Sequence, residues 1–234
     1  VGLMGVVLGI YLSRIGFSAF RIGAVLAVGL AGSAVATTVV GFAADKVGRK
    51  RFLLILSILT TLGGLVLYAT PALPLLLGIV FVSMLNGTGT ERSATFALEQ
   101  AVIPGLGPDT RRTWNLALYN VLIDGGSSLG ALGAGFPLMI HNQFNFSLLG
   151  GYRVLFLGYS GLYIAMTVLY SLLSPAVEVN NLPVLERAWT VRPETKTVIA
   201  KLTALFSLDA FGGGFLTDAL VSYWFFRRFG LSEH

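Results

Sequence analysis

The chain returns again and again to apolar runs long enough to cross a lipid bilayer. That one feature removes most folds open to a chain of 234 residues. Ile22–Val40, Phe52–Tyr68, Leu75–Ile103, Trp114–Ile140, Val154–Leu173 and Val198–Trp224 each approach or exceed the ~20 residues that carry a helix across ~30 Å of hydrocarbon. Val1–Leu12 is apolar but shorter, and with no initiator Met before it reads as a clipped first span. The joints are loops by composition: the Pro71–Pro74 stretch, Pro104 to Asp109, and Ser174–Thr197 with Pro175, Pro183 and Pro193. Only 12% of residues are charged and mean hydropathy is +0.79, whereas a soluble domain carries about 25% charge. Polar surface cannot cover so much apolar side chain in water. A water-soluble enzyme, a nucleic-acid binder and a disordered chain are excluded. The expected class is an all-α polytopic membrane protein with about seven transmembrane helices, the first truncated.

Other counts narrow the chemistry. With no cysteine there is no disulfide and no thiolate metal site, and two histidines, His141 and His234, give no His-rich one. No metal or cofactor is expected. The net charge of +5 fits the bias of basic residues toward cytoplasmic loops better than it fits a nucleic-acid partner. Of 16 Lys and Arg, ten fall in alternate loops: Lys46, Arg49, Lys50, Arg51, Arg111, Arg112, Arg187, Arg192, Lys196 and Lys201. Five fall in the other set, Arg14, Arg21, Arg153, Arg227 and Arg228, and Arg92 lies inside a span. The ten-charge side is expected to be cytoplasmic, together with the N-terminus and the 174–197 loop. Tyr223 and Trp224 then fall at the outer interface, where amphipathic rings are favoured.

Between the second and third spans stands Gly41-Phe42-Ala43-Ala44-Asp45-Lys46-Val47-Gly48-Arg49-Lys50-Arg51. A basic turn explains the Lys and Arg residues but not Gly41, Asp45 and Gly48 at these spacings. At this composition, chance gives the pattern G-x-x-x-D-[RK]-x-G-R-[RK] about once in ten thousand. The segment resembles the signature loop between helices two and three of the major facilitator superfamily of transporters, and its place in the chain agrees. The resemblance implies a helical bundle of that type, with the loop latching two six-helix halves together. By the same resemblance, Gly41 lets a helix of the other half pack closely. Asp45 pairs with Arg49 and faces that helix's N-terminus, whose dipole favours an anion. Gly48 makes the tight turn, Lys50 and Arg51 hold the headgroup side, and Lys46 is a further position of the latch motif.

A second resemblance is internal. Tyr11–Ser18 and Phe225–Ser232 share Arg14, Gly16 and Ser18 with Arg228, Gly230 and Ser232, each 214 residues later. Parallel repeats of this kind build the two halves of that superfamily. The expected organisation is a six-helix bundle over 1–173, a cytoplasmic inter-half loop over 174–197, and the first helix of a second bundle over 198–234. Helices eight to twelve of the same protein would then be this chain's missing partner.

Ionisable residues within spans are costly and commonly face a cavity or a partner. From the cytoplasmic end Arg92 lies about 12 residues in, Asp124 about 11 and Asp209 about 12, or roughly 16–18 Å deep at 1.5 Å per residue. Transporters of this type bind their solute at the midplane. Asp124, Asp209, Arg92, Glu91 and Asn120 are therefore the candidates for substrate or proton binding, against the alternative of structural ion pairs. Arg92 or Glu91 is expected to meet Asp124 across spans four and five. Asp209 precedes Phe211-Gly212-Gly213-Gly214-Phe215, a run that allows bending or close packing. Glu99 reads as part of a cytoplasmic-end network with Arg111 or Arg112, and Asp218 as a wet interfacial residue.

Asn120, Asp124 and Ser127 or Ser128 share one face of span five, which also carries Gly125, Gly126, Gly130, Gly133 and Gly135. Gly133-Ala134-Gly135-Phe136-Pro137 is not the late helix-five signature of the superfamily's antiporters. Asn86-Gly87-Thr88-Gly89 places Arg92 after the G-x-G rather than before it, unlike the helix-four signature of many proton-coupled members. Phe206, Phe211, Phe215 and Tyr119 read as packing aromatics. The chain is thus expected to serve alternating-access transport of a small solute, with protons as a possible second cargo, in the cell membrane and without enzymatic chemistry. The rival is a seven-helix receptor or other non-transporting membrane protein. A receptor has no use for the Gly41–Arg51 loop, and a retinal protein needs a mid-membrane lysine where Lys201 sits at a helix end. No nucleophile–base pair or phosphate loop supports an enzyme.

Overall fold

The computed structural model describes residues 2–69, 72–87, 89, 91–178, 193–213 and 218–229. Arg187, Arg192, Gly214, Phe215, Gly230, Ser232 and the side chain of Asp218 lie outside the described residues. Among those described, the secondary structure is helical: α1 (Gly2–Arg14), α2 (Ala19–Val47), α3 (Arg49–Ala69), α4 (Leu73–Ser83), α5 (Ser93–Val102), α6 (Arg112–Leu132), α7 (Phe136–Phe144), α8 (Leu148–Ser171), α9 (Pro193–Gly213) and α10 (Asp218–Phe229). Four stretches among the described residues are long and apolar enough to cross a membrane: α2, α3, α6 with α7, and α8. The chain is an all-α, multi-pass membrane protein.

Local chemistry sets the boundaries. Ser18 caps α2 by accepting from the Arg21 N–H at 3.4 Å, and Ser147 caps α8 by accepting from the Gly150 N–H at 3.1 Å. Asn145 ends α7 in the left-handed region, at φ 54°. Pro137 has no N–H and its ring crowds the carbonyl four residues back. The chain accordingly tightens into a 3-10 turn over Gly133–Gly135 before α7 resumes. The last of these runs extends past its expected Ile140 end to Phe144, and α8 begins six residues before the expected Val154.

The expected continuous span Leu75–Ile103 is not one helix. It is α4, an irregular stretch, and α5. Met84 stops α4 with a left-handed backbone at φ 60°. Asn86 then replaces helix hydrogen bonds with its own amide, donating to Met84 O and to Ser33 Oγ, each at 3.0 Å. Ser33 Oγ in turn donates to Met84 O at 3.2 Å. Non-helical backbone at membrane depth survives where protein covers it. Here Met84, Leu85 and Asn86 are buried.

Lipid tails are as apolar as leucine, so helices associate through close packing and interhelical hydrogen bonds rather than by a hydrophobic force. The seams show both. A Cβ on Gly29 or Gly32 of α2 would sit 1.8 Å from Leu85 O or 2.0 Å from Phe81 O, so only glycine lets the end of α4 approach this closely. Gly64 of α3 holds the same relation to Ser160 of α8, whose hydroxyl donates to Thr61 O at 3.3 Å. Thr167 of α8 donates to Ser57 of α3 at 2.9 Å. α1 packs on α6 and α10, with Met4, Leu8, Tyr11 and Leu12 buried. The Tyr11 hydroxyl donates to Leu67 O at 3.0 Å, and its ring meets Phe156 edge-on at 4.8 Å. A second apolar cluster, with Val40, Ala44, Leu53, Leu98 and Tyr170, lies toward the α2–α3 turn.

Candidate functional site

Two sites emerge, a turn at one end of the bundle and a polar cluster inside it. The turn is the Gly41–Arg51 segment. α2 ends where the Gly48 N–H donates to Ala44 O at 2.9 Å, and Gly48 adopts φ 117°, a backbone state side chains disfavour. α3 begins at once with Arg49. Asp45 Oδ1 accepts from Arg49 Nε at 2.8 Å, one helical turn apart across the junction, and Arg49 Nη1 donates to Ala101 O at 3.3 Å. The Arg49–Asp45 pair is exposed on the carboxylate side, at 66%, so its direct contribution to stability is small.

Glu178, just beyond α8, was not among the residues singled out from sequence. Its carboxylate accepts from the backbone N–H of Arg49 at 2.7 Å and of Lys50 at 3.2 Å. The first N–H groups of α3 have no intrahelical partner, and their dipole favours an anion. Glu178 therefore caps α3 from 128–129 residues away. Lys50 Nζ donates to Leu173 O at 2.7 Å, tying the same turn to the end of α8. A Cβ on Gly48 would stand 3.1 Å from Glu178 Oε1. Gly41, in contrast, faces open space: a Cβ there meets nothing within 4 Å. Lys46 and Arg51 are exposed.

The second site begins where α5 restarts the interrupted span. Arg92 is the N-cap of α5, and Glu99 lies seven residues on, two turns along the same face. Arg92 Nη2 donates to both Glu99 oxygens, at 2.9 and 2.8 Å. The hydroxyls of Tyr119 from α6 and Tyr170 from α8 also donate to Glu99. Three helices thus converge on one carboxylate. Phe96 stacks on Tyr119 with ring centroids 5.8 Å apart. Glu91, at the same junction, is 1% exposed.

The carboxylate that Arg92 finds is Glu99, within its own segment, and not Asp124. The break in the span moves Arg92 to a helix start, where the depth reckoned along a continuous helix no longer holds. Glu99 is bonded to Arg92 and two tyrosines, while Arg111 and Arg112 are exposed. Asn120 and Asp124 lie on the exposed face of α6, a helix with no fully buried residue. Asp209 is exposed on α9. The seven-residue spacing of Arg92 and Glu99 was available in the sequence. Tyr119 and Tyr170 carry no such signal, since a tyrosine in an apolar run reads as packing.

These features define a helical membrane protein with a basic turn at one end and a part-buried ion-pair cluster within. The chain matches the Major Facilitator Superfamily over residues 1–232, and it belongs to that family. It is 26% identical over 258 residues to the uncharacterized membrane protein YJR124C of Saccharomyces cerevisiae, a match that covers 97% of this chain and 58% of that protein. The chain therefore spans little more than half the length of the curated relative it matches. No solved structure matches it.

Proposed function

We propose that this chain forms one half, and the start of the second, of a transporter that moves a small solute by alternating access. Residues 1–173 would be the first six-helix bundle, 174–197 the inter-half loop, and 198–234 the opening helix of the second bundle. The Gly41–Arg51 turn lies on the cytoplasmic side in this reading, as do the N-terminus and the 174–197 loop, in a cell membrane. The observation that carries it is the state of that turn. Its inner side is bonded to α8 and Glu178, while Gly41 faces open space and Asp45 stays 66% exposed. A second body can seat on the outer side and leave again without disturbing the inner one. Asp124, Asp209, Arg92, Glu91 and Asn120 are the candidates for solute or proton binding, and Glu99 with Arg111 and Arg112 for the network at the latch end.

These 234 residues hold no cysteine, so a reporter introduced among them is unique once any cysteine elsewhere in the full-length protein is replaced by serine. Alternating access is tested in the full-length protein with Ile123→Cys, beside Asp124 on α6, and, separately, with Phe42→Cys, a 61% exposed position beside Gly41. Membrane-impermeant reagents applied from each side should label the two sites reciprocally as solute is added. Labelling that never responds to any solute or to a proton gradient would favour the non-transporting reading. Asp124→Asn and Asp209→Asn, assayed separately for flux in proteoliposomes, test the site. Unchanged rate and pH dependence in both would remove them from it.

A further inference from the structure

α6 runs unbroken from Arg112 to Leu132, so depth along it can be counted. Asp124 lies about 12 residues from its start, roughly 18 Å at 1.5 Å per residue, near the middle of ~30 Å of hydrocarbon. Asn120 and Ser128 stand one turn to either side of it on the same face, and all three are exposed. The Ser128 hydroxyl donates to Asp124 O at 2.9 Å, so its proton is spent on its own helix and its oxygen is left as an acceptor. Among the described residues none pairs with the Asp124 carboxylate. Lipid cannot solvate such a stripe, and a carboxylate at this depth meets water or an opposite charge. The cation at membrane depth is committed elsewhere. Arg92 holds Glu99 at 2.8 Å, toward the cleft that Tyr119, Ile123 and Ser127 line on the neighbouring face of α6. Within the described spans this one arginine stands against four carboxylates, Glu91, Glu99, Asp124 and Asp209.

We propose that the Asn120–Asp124–Ser128 face of α6 binds a small solute carrying a primary ammonium group. The ammonium pairs with the Asp124 carboxylate and donates its remaining N–H groups to Asn120 Oδ1 and Ser128 Oγ. Side chains one turn apart are neighbours on a helix, so one group with three donors can reach more than one of them. The inference rests on the transport reading and names the solute class for it. Charge and hydrogen bonding select the same form. An anion is repelled by Asp124 and finds Arg92 already holding its counterion. A neutral amide can donate to the same oxygens but leaves the carboxylate without a counter-charge.

The test is equilibrium dialysis of butylammonium, butyramide and butyrate against the full-length protein in nanodiscs, with empty nanodiscs as the blank. Butylammonium should bind saturably, and the other two at least tenfold more weakly. Asp124→Asn keeps the size and polarity of the side chain but removes its charge, and should weaken butylammonium at least tenfold. Asp124→Glu restores the charge and should recover most of the binding together with the preference for butylammonium over butyramide. Thermal unfolding is recorded in parallel, and if Asp124→Asn fails to fold, Asn120→Leu decides, since it removes one acceptor of the stripe and should weaken butylammonium at least threefold. The proposal is overturned if butylammonium does not saturate, if butyramide or butyrate binds as tightly, or if folded Asp124→Asn binds undiminished, the result expected when Asp124 instead pairs with a basic side chain of the second half. Dialysis requires no turnover. Butylammonium binding without reciprocal cysteine labelling would therefore sink the transport reading alone, and labelling that responds to another solute without butylammonium binding would sink this inference alone.

Discussion

Single residues in this chain act through what they let the backbone do as much as through charge. Gly48 holds a backbone state that costs a side-chain-bearing residue about 1–3 kcal/mol, and its missing Cβ leaves room for the Glu178 cap. Gly48→Ala should therefore destabilise the protein by about 1–3 kcal/mol, read from denaturation in detergent. Glu178→Ala should cost about 0.5–2 kcal/mol, the usual effect of losing a helix cap. If Gly48→Ala unfolds with the wild-type midpoint, the turn does not need glycine. The Glu99 cluster orders differently. Tyr170→Phe removes one hydrogen bond to a charged group, about 1.5–3 kcal/mol, whereas Glu99→Gln strips Arg92 of its counterion. A fully buried pair loses about 3–5 kcal/mol when one partner goes. With 23% and 15% of the two side chains exposed, solvent screens part of that. Glu99→Gln should still be the more damaging of the two, and the reverse order would mean that the tyrosines, not the ion pair, hold α5 against α6 and α8.

At the scale of elements, the interrupted span decides where the cluster sits. α4 can end in mid-bundle because Asn86 and Ser33 take over its terminal carbonyl, and because Gly29 and Gly32 admit the backbone of Phe81 and Leu85. Gly29→Ala and Gly32→Ala should each push α2 from α4 and destabilise by at least the 1–3 kcal/mol typical of overpacking. Gly23→Ala, whose Cβ would meet nothing within 4 Å, should be near neutral. Equal midpoints for all three would show that α2 and α4 tolerate separation. The elements themselves were largely legible in the sequence, since a bilayer imposes run length and an apolar face directly. The break was not, because glycines count as apolar within a run and Leu75–Ile103 reads as uninterrupted. Asn86-Gly87-Thr88-Gly89 carried the hint, but what opens the helix is Ser33, more than fifty positions earlier. For the same reason Glu178 was invisible: its carboxylate acts on a turn that local pattern cannot connect to it.

The whole molecule is defined by faces that its own contacts leave open. α2 buries Val40 and Ala44 inward, yet the residues between them turn outward: Gly41 meets nothing and Phe42 is 61% exposed. α6 has no fully buried residue, and the described side chains of α9 are exposed throughout. A polytopic bundle with so much apolar surface meets either lipid or further protein, and at the turn the two alternatives differ in what they demand of Gly41. Lipid accommodates any apolar side chain there. A close-packed second half does not. Gly41→Leu should therefore leave the unfolding free energy of the protein within about 0.5 kcal/mol of wild type, as a surface change does. In the same full-length protein it should slow solute flux at least tenfold, because an added side chain holds the two halves apart in the state where they latch. Gly41→Ala, with a single methyl, should fall between. Wild-type flux in Gly41→Leu, measured in proteoliposomes at matched protein density, would mean that no helix seats on this turn and that its sequence serves only the bonds it makes to Arg49, Ala101 and Glu178.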